Sequence, residues 1–236
     1  MINVILLYEF KKVQQCHIKI NKNFNKTFGM TNYWPFEYNP NDVLGEADLF
    51  GGCNVTYIND RFNKPQAALS ITNGYYKIPS KAYLSSSFSV LVWVRLKVIN
   101  KWARIFEFGN GLSYDNIVVS FNSGTTGGIY AAMLDKSLIT LEMYTNIKFT
   151  LNKWQHVAFV LNYTTFLIYL DGNQMINQTC SKIMPNNLIR NVNFLGRSSV
   201  YPSDQDANAD YDELKIFNRA LTQNEINFEM NNELFI

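Results

Sequence analysis

The stretch from His156 to Gln178 limits the possible folds more than any other part of the sequence. Two apolar runs, 157–161 and 166–170, are separated by a short polar turn. Asp171-Gly172 follows the second run, and this dipeptide suits a tight hairpin because both residue types tolerate a positive φ. The pattern predicts three antiparallel strands that are apolar on both faces. Such strands need cover on both faces, so two packed sheets are favoured over one open sheet.

Further strand-like runs occur on both sides of this segment, and an aromatic content of 15% favours strands over helices. In Ser87–Val98 the apolar residues alternate, so one face of a strand carries Phe88, Val90, Val92, Val94 and Leu96. Other candidate strands are 104–108, 116–121 and 128–134, which glycine-containing turns separate. Residues 31–65 are rich in Pro, Gly and Asn, so this region is predicted to be mostly loop.

A helix is predicted only near the C-terminus. Thr222-Gln223-Asn224-Glu225 matches a capping box, and Leu221, Ile226 and Phe228 are spaced to seat a short helix on the sheets. The predicted fold class is therefore all-β: a two-sheet antiparallel β-sandwich, or jelly roll, with a short C-terminal helical turn. We assign the sandwich to residues 31–230, an N-terminal segment of unassigned structure to residues 1–30 and a tail to residues 231–236.

Charge and composition exclude several functions. A formal net charge of +2 is too small to attract nucleic acid or an anionic membrane, and no run has the roughly 18 apolar residues of a membrane-spanning helix. Two histidines exclude a histidine-rich metal site. Cys16, Cys53 and Cys180 lack the C-x-x-C spacing of structural zinc sites. Two alternatives remain open for them: a Cys53–Cys180 disulfide with Cys16 left over, or three unpaired thiols.

Short motifs run through residues 31–228 in a fixed order. They are Trp34-Pro35-Phe36, Asp60-Arg61-Phe62, Phe88-Ser89-Val90 with Trp93-Val94, Trp154-Gln155-His156-Val157-Ala158, Ile168-Tyr169-Leu170-Asp171-Gly172, Leu195-Gly196-Arg197, Tyr211-Asp212-Glu213-Leu214, and Glu225-Ile226. In this order they resemble the laminin-G-like jelly rolls of the concanavalin A-like lectin/glucanase fold. Asn63 departs from that family, which usually has glycine there. The motifs are mostly scaffold, so the resemblance implies a fold more than a function.

The densest polar cluster lies at 204–212, where alternate positions carry oxygen-bearing side chains. Ca²⁺ takes six to eight oxygen ligands, so the sequence suggests a calcium site. Its candidate ligands are Asp204, Asp206 and Asp210, with Asp115 and Asn116 from a neighbouring loop. In the alternative interpretation, Asp204 and Asp206 belong to a solvated loop. Asp212 shares parity with Leu214 and Ile216 and is predicted to point inward.

Aromatic residues near predicted turns are the candidate ligand-binding residues: Trp102, Tyr114 and Tyr201. The E-x-D-x-x-E pattern by which glucanases of this fold would place two carboxylates on one strand is absent, and Glu142 stands alone. We therefore predict a non-enzymatic recognition domain that binds carbohydrate or glycoprotein, with Ca²⁺ as a candidate cofactor. The alternative is a structural or adhesive module that binds another extracellular protein, and a glycoside hydrolase comes third.

The resemblance also implies a secreted or extracellular location, although the N-terminal residues do not match a signal peptide. The apolar stretch from Met1 to Tyr8 has no basic residue before it, and Glu9 interrupts it at once. We expect no nucleic-acid partner and no membrane-spanning segment in this chain.

Overall fold

A computed structural model describes residues 28–134, 140–180 and 187–231, and the described residues from Thr31 onward belong to one compact unit. Thirteen strands and one helix are seen in the described residues. The strands are β1 (Met30–Trp34), β2 (Phe50–Ile58), β3 (Ala68–Ile78), β4 (Ser87–Leu96), β5 (Arg104–Gly109), β6 (Asn116–Ser120), β7 (Tyr130–Leu134), β8 (Thr140–Tyr144), β9 (Trp154–Asn162), β10 (Thr165–Leu170), β11 (Asn173–Thr179), β12 (Val192–Leu195) and β13 (Ala207–Phe217). The helix is α1 (Gln223–Asn231).

The strands form one curled antiparallel sheet. Its order is β11-β10-β9-β4-β13-β3-β12-β5-β6-β7-β8, while β1 pairs with β13 and β2 pairs with β3. Phe106 on β5 contacts Phe159 on β9 at a ring-centroid distance of 5.8 Å, although four strands lie between β5 and β9 in this order. The two halves of the sheet therefore face each other across one core. This confirms the predicted sandwich and its class.

The core follows the alternation that the sequence predicts. On β4, every apolar residue at the alternate positions from Phe88 to Leu96 is buried, whereas Trp93 and Arg95 on the other face are partly exposed. Strands β9, β10 and β11 form the predicted antiparallel meander. In its second turn, Asp171 has φ 48° and Gly172 has φ 74°. Both values lie in the left-handed region, which a type I′ hairpin requires.

In this region one sequence prediction is confirmed and one is wrong. Segment 31–65 is mostly loop as predicted, and among the described residues its strands are the end of β1 and β2, which pairs with β3 and is mostly exposed. The predicted inward direction of Asp212 is wrong. Strand β13 has a bulge between Asp212 and Lys215, where Glu213 adopts φ 54°. The bulge keeps Leu214 in the core while Asp212 turns outward and accepts a hydrogen bond from Arg61.

The helix begins with the predicted capping box. The Thr222 amide donates to the Glu225 carboxylate at 2.8 Å, and the Glu225 amide donates to the Thr222 hydroxyl at 3.4 Å. Leu221 and Ile226 are buried as predicted, whereas Phe228 is partly exposed. In the described parts of the chain, no helix has the length and apolar character needed to cross a bilayer.

The cysteine alternatives are decided for two of the three residues. Cys53 on β2 and Cys180 after β11 are both free thiols, so the Cys53–Cys180 disulfide is not formed. Cys16 lies outside the described residues.

Candidate functional site

Strands β5 to β8 carry polar and aromatic side chains on the face that is turned away from the main core. Ile117 and Val119 on β6 belong to the core, whereas Val118 between them belongs to a separate small cluster with Tyr130 and Trp102. The strand registers align two rows of residues across this outer face. The first row is Arg104, Ser120, Tyr130 and Tyr144, and the second is Glu107, Val118, Ala132 and Glu142.

A groove of about 280 Å³ opens on this face. We call it the aromatic groove, and it is lined by Trp102, Arg104, Tyr130, Glu142, Tyr144, Tyr201 and Asp204. The rings of Trp102 and Tyr130 meet edge to face at 5.2 Å, and those of Tyr130 and Tyr144 lie 5.0 Å apart. Tyr144 is 47% exposed and Tyr201 is 55% exposed. The groove therefore presents aromatic surface to solvent on a well-packed base.

Trp102 is held in place by its backbone. It adopts φ 60°, and its amide donates to the Asn122 carbonyl at 3.2 Å. The indole lies against Gly124, where an added Cβ would come within 2.4 Å of the indole Nε1. Gly124 also has φ 66°, so a side chain there would be both strained and obstructed. The position of the indole thus depends on a glycine more than twenty residues further along the chain.

Arg104 organises the base of the groove. It is buried, and each of its five N–H donors has a partner. Nε donates to Glu107 at 2.8 Å, Nη1 to the Trp102 carbonyl and to Ser120 at 3.1 Å, and Nη2 to Ser198 at 3.1 Å and to Asp204 at 2.7 Å. Hydrogen bonds between charged groups of this kind are about twice as strong as neutral ones. One guanidinium therefore joins β5, β6, the Trp102 turn and the loop before β13.

The same network fixes the loop 198–205 over the sheet. Ser199 donates to the Glu107 carboxylate through both its amide, at 3.1 Å, and its hydroxyl. The Tyr201 amide donates to the Ser198 hydroxyl at 3.0 Å. Burial raises the pKa of Asp204, and the neighbouring Arg104 opposes this shift. Hydrogen bonds therefore fix the loop that carries Tyr201.

Glu142 differs from the other carboxylates of the site because it is exposed. It accepts a hydrogen bond from the Tyr130 hydroxyl at 2.9 Å. Burial raises the pKa of Tyr130 well above its ordinary value, and the hydrogen bond to Glu142 raises it further. Tyr130 therefore stays a neutral donor, and Glu142 presents a carboxylate at the open side of the groove.

Further cavities adjoin the groove around the same loop. One of about 310 Å³ includes Phe194, Arg197, Tyr201 and Asp204 in its lining, and another, of about 60 Å³, lies between Glu107, Asn116, Glu142 and Tyr201. Because Tyr201 lines all three, these spaces surround a single side chain. Arg197 in this region stacks on the Tyr75 ring at 3.8 Å and is held by Asp206 at 2.9 and 2.8 Å.

The sequence-predicted ligand-binding residues fall into two groups. Trp102 and Tyr201 come together in the aromatic groove, although they are far apart in the sequence. Tyr114 lies in the loop between β5 and β6 and does not line the groove.

Three of the five predicted calcium ligands are in ion pairs. Asp204 binds Arg104, Asp206 binds Arg197 at 2.8 Å, and Asp210 contacts Arg95 at 2.8 Å and Lys97 at 3.1 Å. The Asp115 carbonyl accepts a hydrogen bond from Arg190, and the Asn116 side chain bonds to its own loop. Across residues 28–134, 140–180 and 187–231, no three His, Cys, Asp or Glu side chains form a group that could hold a metal ion. Calcium binding stays a prediction, and the carboxylates of Asp204, Asp206 and Asp210 already have basic partners.

Sequence reasoning missed four residues of the groove: Arg104, Tyr130, Glu142 and Tyr144. A signal was present in 140–144, where Glu142 and Tyr144 alternate with the buried Leu141 and Met143. That alternation predicts a strand with one solvent face, and its polar face carries two of the missed residues.

The chain belongs to the concanavalin A-like lectin/glucanases superfamily. A laminin G profile of this superfamily matches residues 70–227, which is more than half of the chain, and confirms the resemblance seen in the sequence motifs. No curated protein sequence matches the chain at a significant level.

Solved structures with the same fold come from several kinds of protein. Domain 4 of AbnA, a GH43 extracellular arabinanase from Geobacillus stearothermophilus solved in complex with arabinotriose, has a TM-score of 0.68 and 19% identity, covering 86% of this chain and 98% of that domain. The binding domain of Paraclostridial Mosquitocidal Protein 1 has a TM-score of 0.63 and 15% identity, covering 86% and 52%. A mutant Trypanosoma rangeli sialidase has a TM-score of 0.59 and 13% identity, covering 88% and 34%. At these identities the likeness shows the fold alone.

Proposed function

We propose that this domain binds carbohydrate and that the aromatic groove is its binding site. The observation that carries the proposal is the gathering of Trp102, Tyr130, Tyr144 and Tyr201 around one open groove beside the Glu142 carboxylate. A sugar ring has apolar C–H faces that pack against aromatic rings, and hydroxyl groups that bond to carboxylates and phenols. A few polar groups among aromatic side chains are what small-ligand sites combine.

The groove is preformed, which favours binding. Trp102 is held by its backbone and by Gly124, and Tyr201 is carried by a loop that is bonded to Arg104 and Glu107. A ligand would therefore order few side chains, and ordering costs are a main loss in binding free energy. The AbnA domain was solved in complex with arabinotriose, which supports carbohydrate as the ligand class. AbnA is an extracellular enzyme, which supports an extracellular role for this chain.

The arrangement of the carboxylates favours carbohydrate binding without hydrolysis. Glycoside hydrolysis by the usual route needs two carboxyl groups that act on the same bond. Of the carboxylates in and beside the groove, Glu107 and Asp204 are both bound by the buried Arg104, and Glu142 is the exposed one. We therefore propose a recognition domain, and the AbnA and sialidase relatives make product analysis a necessary control.

A protein partner is the second candidate. Binding domains of a mosquitocidal protein and of botulinum neurotoxin serotype G share the fold, so recognition of a macromolecule through the same loops fits the architecture. A protein ligand would be favoured if free oligosaccharides fail to bind while the domain is fully folded.

The test is a glycan array with the full chain, followed by calorimetry on the glycan that binds best. Trp102→Ala and Tyr144→Ala are expected to weaken binding at least tenfold, because packing of an aromatic ring against the ligand is lost. Tyr163→Ala is the matched control, since Tyr163 is 58% exposed on the β9–β10 turn and lies outside the groove lining. Its affinity should equal that of the wild type.

Three outcomes separate the possibilities. Unchanged binding by both groove variants would place the site elsewhere, and a silent array would favour the protein partner. Shortening of a bound oligosaccharide during incubation would contradict the non-enzymatic part of the proposal. The array is run with millimolar Ca²⁺ and with EDTA, so that a loss of binding in EDTA alone supports the calcium prediction.

A further inference from the structure

The positive charge of the aromatic groove is fully committed to the protein. Arg104 is the one cationic side chain in the described lining of the groove. All five of its N–H groups already donate to protein acceptors, two of which are the carboxylates of Glu107 and Asp204. An anionic ligand could take a hydrogen bond from this guanidinium only by breaking an internal one, which leaves a buried group without a partner.

The remaining charge at the site is negative. The two carboxylates of Glu107 and Asp204 and the one guanidinium of Arg104 sum to a net charge of −1. Glu142 adds an exposed carboxylate that has no ion pair within residues 28–134, 140–180 and 187–231. The next cation around the loop, Arg197, is neutralised by a two-point contact with Asp206. A ligand in the groove therefore meets acceptors and carboxylate charge, together with aromatic rings.

We propose that the aromatic groove selects uncharged sugars and rejects glycans that carry a carboxylate or sulfate group at the bound position. This inference rests on the proposed carbohydrate-binding function and names the ligand class of the same site. Like charges placed next to each other at an interface lower affinity, and such repulsion is a common source of specificity. Glu142 is the side chain that provides the repulsion, because it is exposed and no basic side chain of the described residues pairs with it.

The experiment uses matched pairs of immobilised glycans that differ in one charged group. The pairs are N-acetyllactosamine with and without terminal sialic acid, xylo-oligosaccharides with and without glucuronic acid, and lactose with and without a sulfate group on its galactose. For every pair that binds, the uncharged member is expected to bind at least tenfold more tightly at low salt. The ratio should fall as salt is raised from about 10 mM to 1 M, because salt screens exposed charges.

Two variants test the role of Glu142. Glu142→Gln keeps the size and most hydrogen-bonding capacity of the side chain, and it should reduce the neutral-to-anionic ratio at least threefold. Glu142→Lys should reduce the ratio further or reverse it. Glu46→Gln is the matched control, since Glu46 is an exposed carboxylate in the loop between β1 and β2 and does not line the groove. Its ratio should equal the wild-type ratio.

The outcomes distinguish this inference from the function on which it rests. Equal or tighter binding of the anionic members, lost in Trp102→Ala, would overturn the charge selection and leave the groove as a sugar site. A ratio that Glu142→Gln does not change would overturn the role of Glu142. An array that stays silent for both members of every pair would overturn the carbohydrate function and the inference with it.

Discussion

Two faces of the sheet use the same residue types for opposite purposes. The aromatic groove lies on the outer face of β5–β8, and its exposed rings and its exposed carboxylate face solvent. A second set of aromatic and ionised residues lies on the outer face of β4, β9 and β13, and we call it the buried ion cluster. It consists of Tyr33, Arg61, Trp93, His156, Asp212, Glu213, Lys215 and Glu229.

The buried ion cluster is closed by α1, by β1 and by the loop that carries Arg61. Lys215 lies between Glu213 at 2.9 Å and Glu229 of α1 at 3.1 Å. Arg61 contacts Asp212 at 2.5 Å and stacks over Trp93 at 4.9 Å. These acidic and basic side chains are almost fully buried, and each lies against a partner of the opposite type, because an unpaired charge away from water costs several kcal/mol or more. Burial raises the pKa of Asp212 to about 8, and the neighbouring Arg61 opposes this shift.

The comparison shows that residue type does not identify a binding surface. Trp93 and Trp102 are both tryptophans on outer strand faces or beside them, yet Trp93 packs against Arg61 and His156 while Trp102 lines an open groove. What distinguishes the two faces is whether another element covers them. Among the described residues, the exposed Glu142 on the open face has no ion pair, so its carboxylate can contact a ligand.

The largest expected effect comes from removing one charge of the buried ion cluster. Lys215→Met leaves Glu213 and Glu229 buried without their shared cation, so unfolding free energy should fall by about 3–5 kcal/mol. Urea denaturation measures this change. Lys64→Met is the control, since Lys64 pairs with Glu37 at the surface and such pairs are worth about 1 kcal/mol or less. A loss for Lys215→Met as small as that for the control would break the distinction between the two faces.

A smaller effect concerns pH. Burial, together with the nearby charges of Lys215 and Arg61, lowers the pKa of His156 to about 3, so the folded protein keeps the imidazole neutral. The unfolded chain binds a proton below its ordinary pKa of about 6.5. The stability contributed by His156 is therefore complete above pH 6.5 and decreases as pH falls toward 3, by up to about 1.4 kcal/mol per pH unit.

Denaturation of the wild type and of His156→Gln between pH 4 and pH 7.5 measures this contribution. The groups around the imidazole, Arg61, Lys215 and Asp212, are retained in both proteins, so the difference in slope belongs to His156. Equal slopes below pH 6.5 would contradict the structural role of His156. Glycan binding at pH 7.5 should be the same in both proteins, because His156 belongs to the closed face.

The smallest effect concerns the helix that covers the cluster. Thr222→Ala removes the hydroxyl of the capping box and should lower stability by about 1 kcal/mol, whereas Thr222→Ser should be close to the wild type. The hydrogen bond from Arg219 lowers the pKa of Glu225 to about 2, and Thr222 contributes to this shift. A higher Glu225 pKa in Thr222→Ala, measured by NMR titration, would confirm the cap, and an unchanged pKa would contradict it.

The sequence predicts the scaffold well because local periodicity determines it. The alternating face of β4, the Asp171-Gly172 turn and the capping box of α1 all depend on residues that are close in sequence. The Asn63 departure is also explained, since Asn63 has φ 65° and asparagine tolerates the left-handed region better than most residues. The bulge that turns Asp212 outward has no signal in the local sequence. The alternation of residues along the strand therefore predicted the wrong direction for the Asp212 side chain.

The site is less predictable because it is built from distant segments. Trp102 and Tyr201 were identifiable as aromatics near turns, but nothing local distinguishes them from Tyr114. Arg104 reaches Ser198 and Asp204, which lie 94 and 100 residues further along the chain. Only the order of strands places β5 and the loop before β13 together, and the motifs do not reveal the charge pairing of the groove.

The most direct test of the proposed site uses the four tryptophans as reporters in one spectrum. The indole N–H signals are assigned with single Trp→Phe variants, and the neutral oligosaccharide that binds best is titrated into ¹⁵N-labelled protein. The signal of Trp102 should shift with the ligand, while those of Trp34, Trp93 and Trp154 stay in place. A shift of Trp93 or Trp154 with no change at Trp102 would contradict the assignment of the aromatic groove as the binding site.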